Sequence, residues 1–188
     1  MSGNILDRFA IKFARIVEKY TEYIIVSGFV AISSGRTRAT EDIDIIIKPV
    51  KKETFKKLHN ELIEKNLVCV QSDKPEKIYD DYLSHFNSVR YMEKKRPLPQ
   101  MDLNFARDEL DEYQLKTKTK LKLTGLDLWF SNVNVNIAFK EYLLKSQKDL
   151  EDAKHLRIVY KELISEEEIK KVKELITKCR LKNQEKNK

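Results

Sequence analysis

The sequence predicts an α+β domain, a mixed β-sheet flanked by helices and closed by a helical C-terminal segment. Three observations predict it. Short β-branched runs at 23–26 and 42–47 have strand length. Apolar residues at three- and four-residue spacing mark helices before and between them. From residue 139 onward the pattern is helical. With 188 residues, 41% of them hydrophobic, one domain with a sizeable core is expected. It divides into a core with the mixed sheet over 1–137, C-terminal helices packed on it over 138–182, and a frayed tail over 183–188.

Taken in order, Ile5, Phe9, Phe13, Ile16, Val17 and Tyr20 recur on one face, giving a helix over 5–20. A buried strand over 23–26 runs into Ser27-Gly28, and 29–32 forms one or two helical turns. The second strand, 42–47, is closed by Pro49. A helix over 54–66 and a short strand over 67–71 follow. The polar stretch 72–84, with Pro75 inside it, reads as loop. Strands are expected at 86–92 and 101–105, with Pro97 and Pro99 punctuating their connection, then a short helix over 108–113. Lys116, Lys118, Lys120 and Lys122 alternate with Thr117, Thr119, Leu121 and Leu123, which puts the four lysines on one face of a strand. Further strands are expected at 126–130 and 133–137, then helices at 139–144, 150–163 and 169–181. Ser165 with Glu168 three residues on is a capping box.

Composition narrows the function classes. Lys and Arg number 37 against 30 Asp and Glu, so the formal net charge is +7. This permits a nucleic-acid or nucleotide partner, and the Lys- and Glu-rich, Gly-poor character equally suits a heat-adapted source. No apolar run has the roughly 20 residues of a membrane span, and charges at Asp7, Arg8, Lys12, Arg15 and Glu18 break any signal-peptide core. Cys69 and Cys179 are far apart and outside any Cys-x-x-Cys spacing, so neither a disulfide framework nor a zinc knuckle is indicated and a reducing cytoplasm fits. His59, His85 and His155 have no ligand spacing, and Trp129 reads as core or as a subunit contact. The oligomeric state is left open.

Asp42 and Asp44 carry the chemistry. Two apart on an apolar strand, they share a face with Cα atoms about 6–7 Å apart. Such a pair repels unless a cation intervenes, and Mg²⁺, or Mn²⁺ in its place, is the natural partner for oxygen ligands. Asp102, in Met101-Asp102-Leu103, is a candidate third carboxylate for in-line phosphoryl transfer. The alternative is a solvated face on which Asp42 and Asp44 pair with Arg36 and Arg38. Ser27, Gly28 and the amides that open the next helical turn suit phosphate oxygens, and Arg36 and Arg38 are candidates to bind the phosphates beside them.

At these residues a resemblance emerges. Ser27-Gly28-Phe29-Val30-Ala31, followed by Gly35-Arg36-x-Arg38-x-Thr40-Glu41-Asp42-Ile43-Asp44-Ile45, resembles the first motif of nucleotidyltransferases with the DNA polymerase beta-like fold. It is most similar to the prokaryotic branch that includes the abortive-infection, type IV toxin enzymes. That family usually has Gly-Ser or Gly-Gly where this chain has Ser27-Gly28. The resemblance implies a nucleotidyltransferase-like mixed sheet. It makes Asp42 and Asp44 metal ligands, and Asp102 the third carboxylate that activates the attacking hydroxyl. Lys140 matches a lysine on the triphosphate, and Asp149 or Asp152 matches a later acidic helix motif.

The implied reaction moves a nucleoside monophosphate from a nucleoside triphosphate such as ATP to an acceptor hydroxyl and releases pyrophosphate. RNA, a protein side chain and a small molecule all suit as acceptor, and the net charge favours RNA. Each assignment has a plainer counterpart: a snorkelling Lys140, Asp149 and Asp152 complementing a helix dipole, Arg36 and Arg38 paired with Glu41. The lysines 116–122 suit either an edge strand protected from aggregation or a track for a nucleic-acid backbone. Two further readings of the whole stand beside the enzyme: a non-catalytic protein of this fold that binds nucleic acid, and a toxin-like component controlled by an antitoxin-like partner.

Overall fold

The computed structural model describes residues 4–181, the side chains of Arg180 and Leu181 excepted. The expected tail over 183–188 lies outside the described residues, as does Lys182.

Five strands form one mixed sheet in the order β1-β2-β5-β4-β3: β1 (Tyr23–Val26), β2 (Asp42–Ile47), β3 (Leu67–Cys69), β4 (Val89–Glu93) and β5 (Arg96–Phe105). Only β2 and β5 run parallel; the other pairs are antiparallel. Alternation along the strands divides the sheet into two unlike faces. One carries Ile43, Ile45, Ile47, Met101, Leu103, Val89 and Tyr91, all fully buried. Against it pack α1 (Ile5–Val17) and α3 (Lys52–Glu64), with Phe13 edge-on to Tyr91 at 5.5 Å and His59 Nδ1 2.9 Å from the Tyr91 hydroxyl. The other face carries Asp42, Asp44 and Ile46 beside Gln100, Asp102 and Asn104. It is only partly covered, by α5 (Glu109–Lys116) and by the C-terminal helices.

Helix α2 (Gly28–Ser33) joins β1 to β2 and packs on α7 (Gln147–Val159). The C-terminal part is α6 (Val133–Ala138), a widened π-helical stretch Phe139–Leu144, then α7 and α8 (Glu166–Ile176). The Ser165 hydroxyl caps α8 by accepting the Glu168 N–H. The other half of the expected capping box is not formed. The Glu168 carboxylate instead accepts from Tyr113, Asn132 and Asn134, tying α8 to α5 and α6.

Four local expectations are corrected. The stretch 72–84 contains α4 (Pro75–Asp81), not loop alone: Pro75 sits in the first turn, where its missing N–H costs nothing, and Ile78 and Tyr79 are the inward residues. Residues 133–137 are helix rather than strand. Every residue of α6 is buried, so the Val133-Val135-Ile137 alternation marks no single face, and Asn132 caps the helix through the Asn134 N–H. Residues 126–130 form no strand: only Phe130 bridges, to Thr119 and to Ile25. Pro97 and Pro99 lie inside β5, where the register slips between Met92–Gln100 and Glu93–Arg96 and so bulges the prolines out of the ladder.

Glu168→Ala leaves buried Asn134 with the Leu163 carbonyl alone and takes from Tyr113 and Asn132 their shared acceptor. The expected result is a loss of about 2–3 kcal/mol, read as a lower urea midpoint at unchanged slope.

Candidate active site

The parallel register sets Asp44 directly beside Asp102, with Asp42 one step along opposite Gln100. Neighbouring strands are about 4.8 Å apart, so the sheet brings all three carboxylates together on its open face, at the end where β2 begins. Burial pushes the Asp44 carboxyl up to about 6; Asp102 and Asp42 add to this and the Ser27 hydroxyl pulls against it. Ser27 itself has φ 65°, ψ −136°, a conformation that favours glycine. A strained serine here, ending β1 beside an acidic strand, is a local departure worth about 1–3 kcal/mol.

Arg90, on β4 opposite Asp102, changes the character of the third carboxylate. Its Nε donates to Asp102 Oδ1 at 2.7 Å and its Nη2 to Oδ2 at 3.0 Å, so both oxygens are engaged. Among the described residues, no three His, Cys, Asp or Glu side chains form a cluster able to hold a metal ion. Arg90 escaped the sequence reading. Its only signal is that it alternates with buried Val89 and Tyr91, which puts it on the carboxylate face once the β4–β5 register is known.

Arg36 and Arg38 do not neutralise Asp42 and Asp44, nor do they pair with Glu41. They reach Asp152, whose carboxylate is fully buried on α7. Arg36 Nε donates to Oδ1 at 2.6 Å, Arg38 Nε and Nη2 donate at 3.1 and 3.0 Å, and Lys140 Nζ donates to Oδ2 at 2.9 Å. Arg36 also reaches Glu151 on the same helix at 2.6 Å. Burial raises the Asp152 carboxyl, but the bonds from Arg38 and Lys140 outweigh it and hold the group below the usual carboxylate range. Lys140 is itself 1% exposed and is turned inward from the π-helical stretch; its second partner is Asp149 at 3.4 Å. It is therefore no snorkelling surface lysine, and both acidic candidates touch it, with Asp152 as the hub.

This cluster accounts for the order of the Ser27-Gly28 pair. A Cβ on Gly28 would stand 2.3 Å from Arg38 Nη2, a guanidinium already anchored on Asp152. Asp152→Asn takes from Arg38 its carboxylate and leaves Arg36 and Lys140 with Glu151 and Asp149 alone, and a loss of about 3–5 kcal/mol is expected in urea unfolding.

Between the open sheet face and the C-terminal helices lies a cavity of about 270 Å³, reached by Ser27, Asp44 and Lys140. Its lining also includes Asn104, Asp111, Gln114 and Asn136, none of which the sequence singled out. Gln114 accepts the Ser131 hydroxyl at 2.8 Å, and Asp111 accepts the Arg107 amide at 3.0 Å. Burial pushes the Asp111 carboxyl up to about 6. A carboxyl raised on folding contributes stability that is whole below its unfolded pKa near 4 and is lost as pH rises through about 6. Wild type should therefore lose about 2–3 kcal/mol between pH 4 and 7 that Asp111→Asn keeps, measured by urea unfolding across that range.

The lysines 116–122 are not brought to this site and do not share a strand face. Lys116 ends α5, only Thr119 bridges, and 122–124 form a single tight turn. Lys118 and Lys120 lie over the Trp129 ring at 5.2 and 4.5 Å and pair with Glu22 and Asp127.

No protein-family model matches the chain, and no curated protein does. Solved structures do. The chain is similar to the antibiotic-resistance factor ANT(2'')-Ia, with a TM-score of 0.55 and 11% identity over 96% of this chain and 98% of that one. It is also similar to an antigenic nucleotidyltransferase-like protein from Paracoccidioides brasiliensis, with a TM-score of 0.53 and 14% identity over 98% and 93%. With its mixed sheet, flanking helices and C-terminal helical region, the chain has a nucleotidyltransferase-like fold.

Proposed function

We propose that the chain binds a nucleoside triphosphate together with a divalent cation at the Asp42–Asp44 end of β2, and that in the arrangement described here it does so without transferring the nucleotide. The bidentate Arg90–Asp102 pair carries this reading. Transfer to a hydroxyl needs a carboxylate free to take the proton, and a carboxylate with both oxygens on a guanidinium is a poor base. Asp42 and Asp44 remain as hard oxygen donors suited to Mg²⁺ or Mn²⁺. A cation between them would offset the repulsion felt by Asp44 and would neutralise charge on the triphosphate. Ser27 and Lys140, on the wall of the same cavity, orient the phosphates.

A second reading, nucleotidyl transfer proper, is favoured by the direct register of Asp44 with Asp102. The Arg90 side chain is 44% exposed and free to leave. Asp102 would then accept the proton of an acceptor hydroxyl as its oxygen bonds to the α-phosphorus and pyrophosphate departs.

Calorimetry with the four nucleoside triphosphates, with and without Mg²⁺, tests the site. Metal-dependent binding is expected in wild type and at least tenfold weaker binding in Asp42→Ala/Asp44→Ala. Binding indifferent to the metal and to both carboxylates would refute the assignment. Pyrophosphate release separates the two readings: silence in wild type and in Arg90→Gln supports a binding protein, and release by either supports transfer.

A further inference from the structure

A second concave surface lies on the opposite side of the sheet from the carboxylates, in the layer of α1 and α3. It consists of two grooves that share Lys12. In the first, Arg8, Lys12 and Arg15 of α1 and Lys19 of the turn that follows it face Lys65 at the end of α3, with Ile11 and Ile16 in the floor and Glu61 as the only acid. The second continues from Lys12 past Asn66 to the β4–β5 turn, where Lys94, Lys95 and Arg96 follow one another beside Glu93. Eight cations thus line the surface against two carboxylates, an excess of six in a chain whose whole formal charge is +7.

The carboxylates are already committed. Glu93 pairs with Lys12 at 2.8 Å, and Glu61 takes Lys19 and the Tyr20 hydroxyl. Lys94 and Lys95 make no ion pair among the described residues and are exposed, as are Arg15 and Lys65. Arg15, Lys65, Lys94 and Lys95 along one surface cost self-repulsion unless an anion lies among them.

We propose that this channel binds the phosphodiester backbone of a nucleic-acid strand. The α1 cations Arg8, Lys12 and Arg15 fall at steps of four and three residues, about 10 Å of helix with a charge every 4–6 Å, and Lys19 extends the row from the following turn, a spacing suited to a repeating anion. Cations stand on both walls, with the apolar residues beneath them, a shape that takes a strand and not a flat bilayer. No aromatic residue lines either groove, so bases are not stacked and binding is indifferent to sequence. The channel opens at the β4–β5 turn, at the same end of the sheet as Asp42; the six residues from Arg96 to Asp102 span at most about 20 Å. This surface does not depend on the carboxylate site.

Fluorescence anisotropy with labelled 20-nucleotide oligo-U and oligo-dT tests it. Binding is expected to weaken with salt at a logarithmic slope of about −3 to −4, the value for four to six phosphates on a single strand. Lys94→Glu/Lys95→Glu and Arg15→Glu/Lys65→Glu should each lose at least tenfold, whereas Lys122→Glu/Lys154→Glu, an equal change of charge elsewhere on the surface, should lose less than threefold. Asp42→Ala/Asp44→Ala should bind the strands as wild type does, which keeps this test apart from that of the nucleotide site. The ratio of the two oligomers decides between RNA and DNA. Equal losses in all three charge variants, or tighter binding of polyglutamate or of phosphatidylserine vesicles than of either strand, would overturn the proposal.

Discussion

Asp152 holds the molecule in its working shape. One fully buried carboxylate on α7 receives two arginines from the loop before β2 and a lysine from the π-helical stretch. The C-terminal helices are thereby fastened to the segment that leads into the acidic strand, and the cavity between them has its width set by a salt-bridge hub rather than by apolar packing alone. The arrangement is charge-matched: Asp149 and Glu151 lie beside Asp152 and meet the cations that a single carboxylate would leave over. Burying so many charges is worthwhile only where all of them are met, and then it fixes one geometry strictly.

Much of this was legible in the sequence, because the deciding signals were local. Asp42 and Asp44 interrupt a β-branched run at period two, and Asp102 does the same in its own strand, so their common face followed from alternation. The helices with one buried stripe, α1 and α3, were equally plain. What was not legible depended on partners distant in sequence. Arg90 is an ordinary exposed arginine until β4 is laid against β5. The period-two pattern of 133–137 misled because α6 is buried on every side, and that of 116–122 because α5 runs on to Lys116 and Trp129 gathers Lys118 and Lys120. The roles of Arg36 and Arg38 reversed for the same reason: the nearest acids in sequence are Glu41, Asp42 and Asp44, and the nearest in space is Asp152.

The two faces of the sheet divide the electrostatics as they divide the packing. On the open face, negative charge gathers where β2 begins and is met locally by Arg90. Behind the sheet, the grooves beside α1, the end of α3 and the β4–β5 turn gather eight cations against two carboxylates. Strand alternation explains the separation: the residues that make one face apolar leave the other to the polar positions between them.

The chain has a single tryptophan, and its surroundings make it a built-in optical gauge. Trp129 donates its indole N–H to Glu18 at 3.2 Å, lies beneath two lysine ammonium groups, and passes its carbonyl to the Ile25 amide of β1. Its emission therefore registers whether the 126–130 segment is docked along the edge of the sheet, and it comes from outside the residues that line the cavity. Detachment of that edge can be followed in the native sequence without a label, as an event distinct from loss of the Asp152 hub.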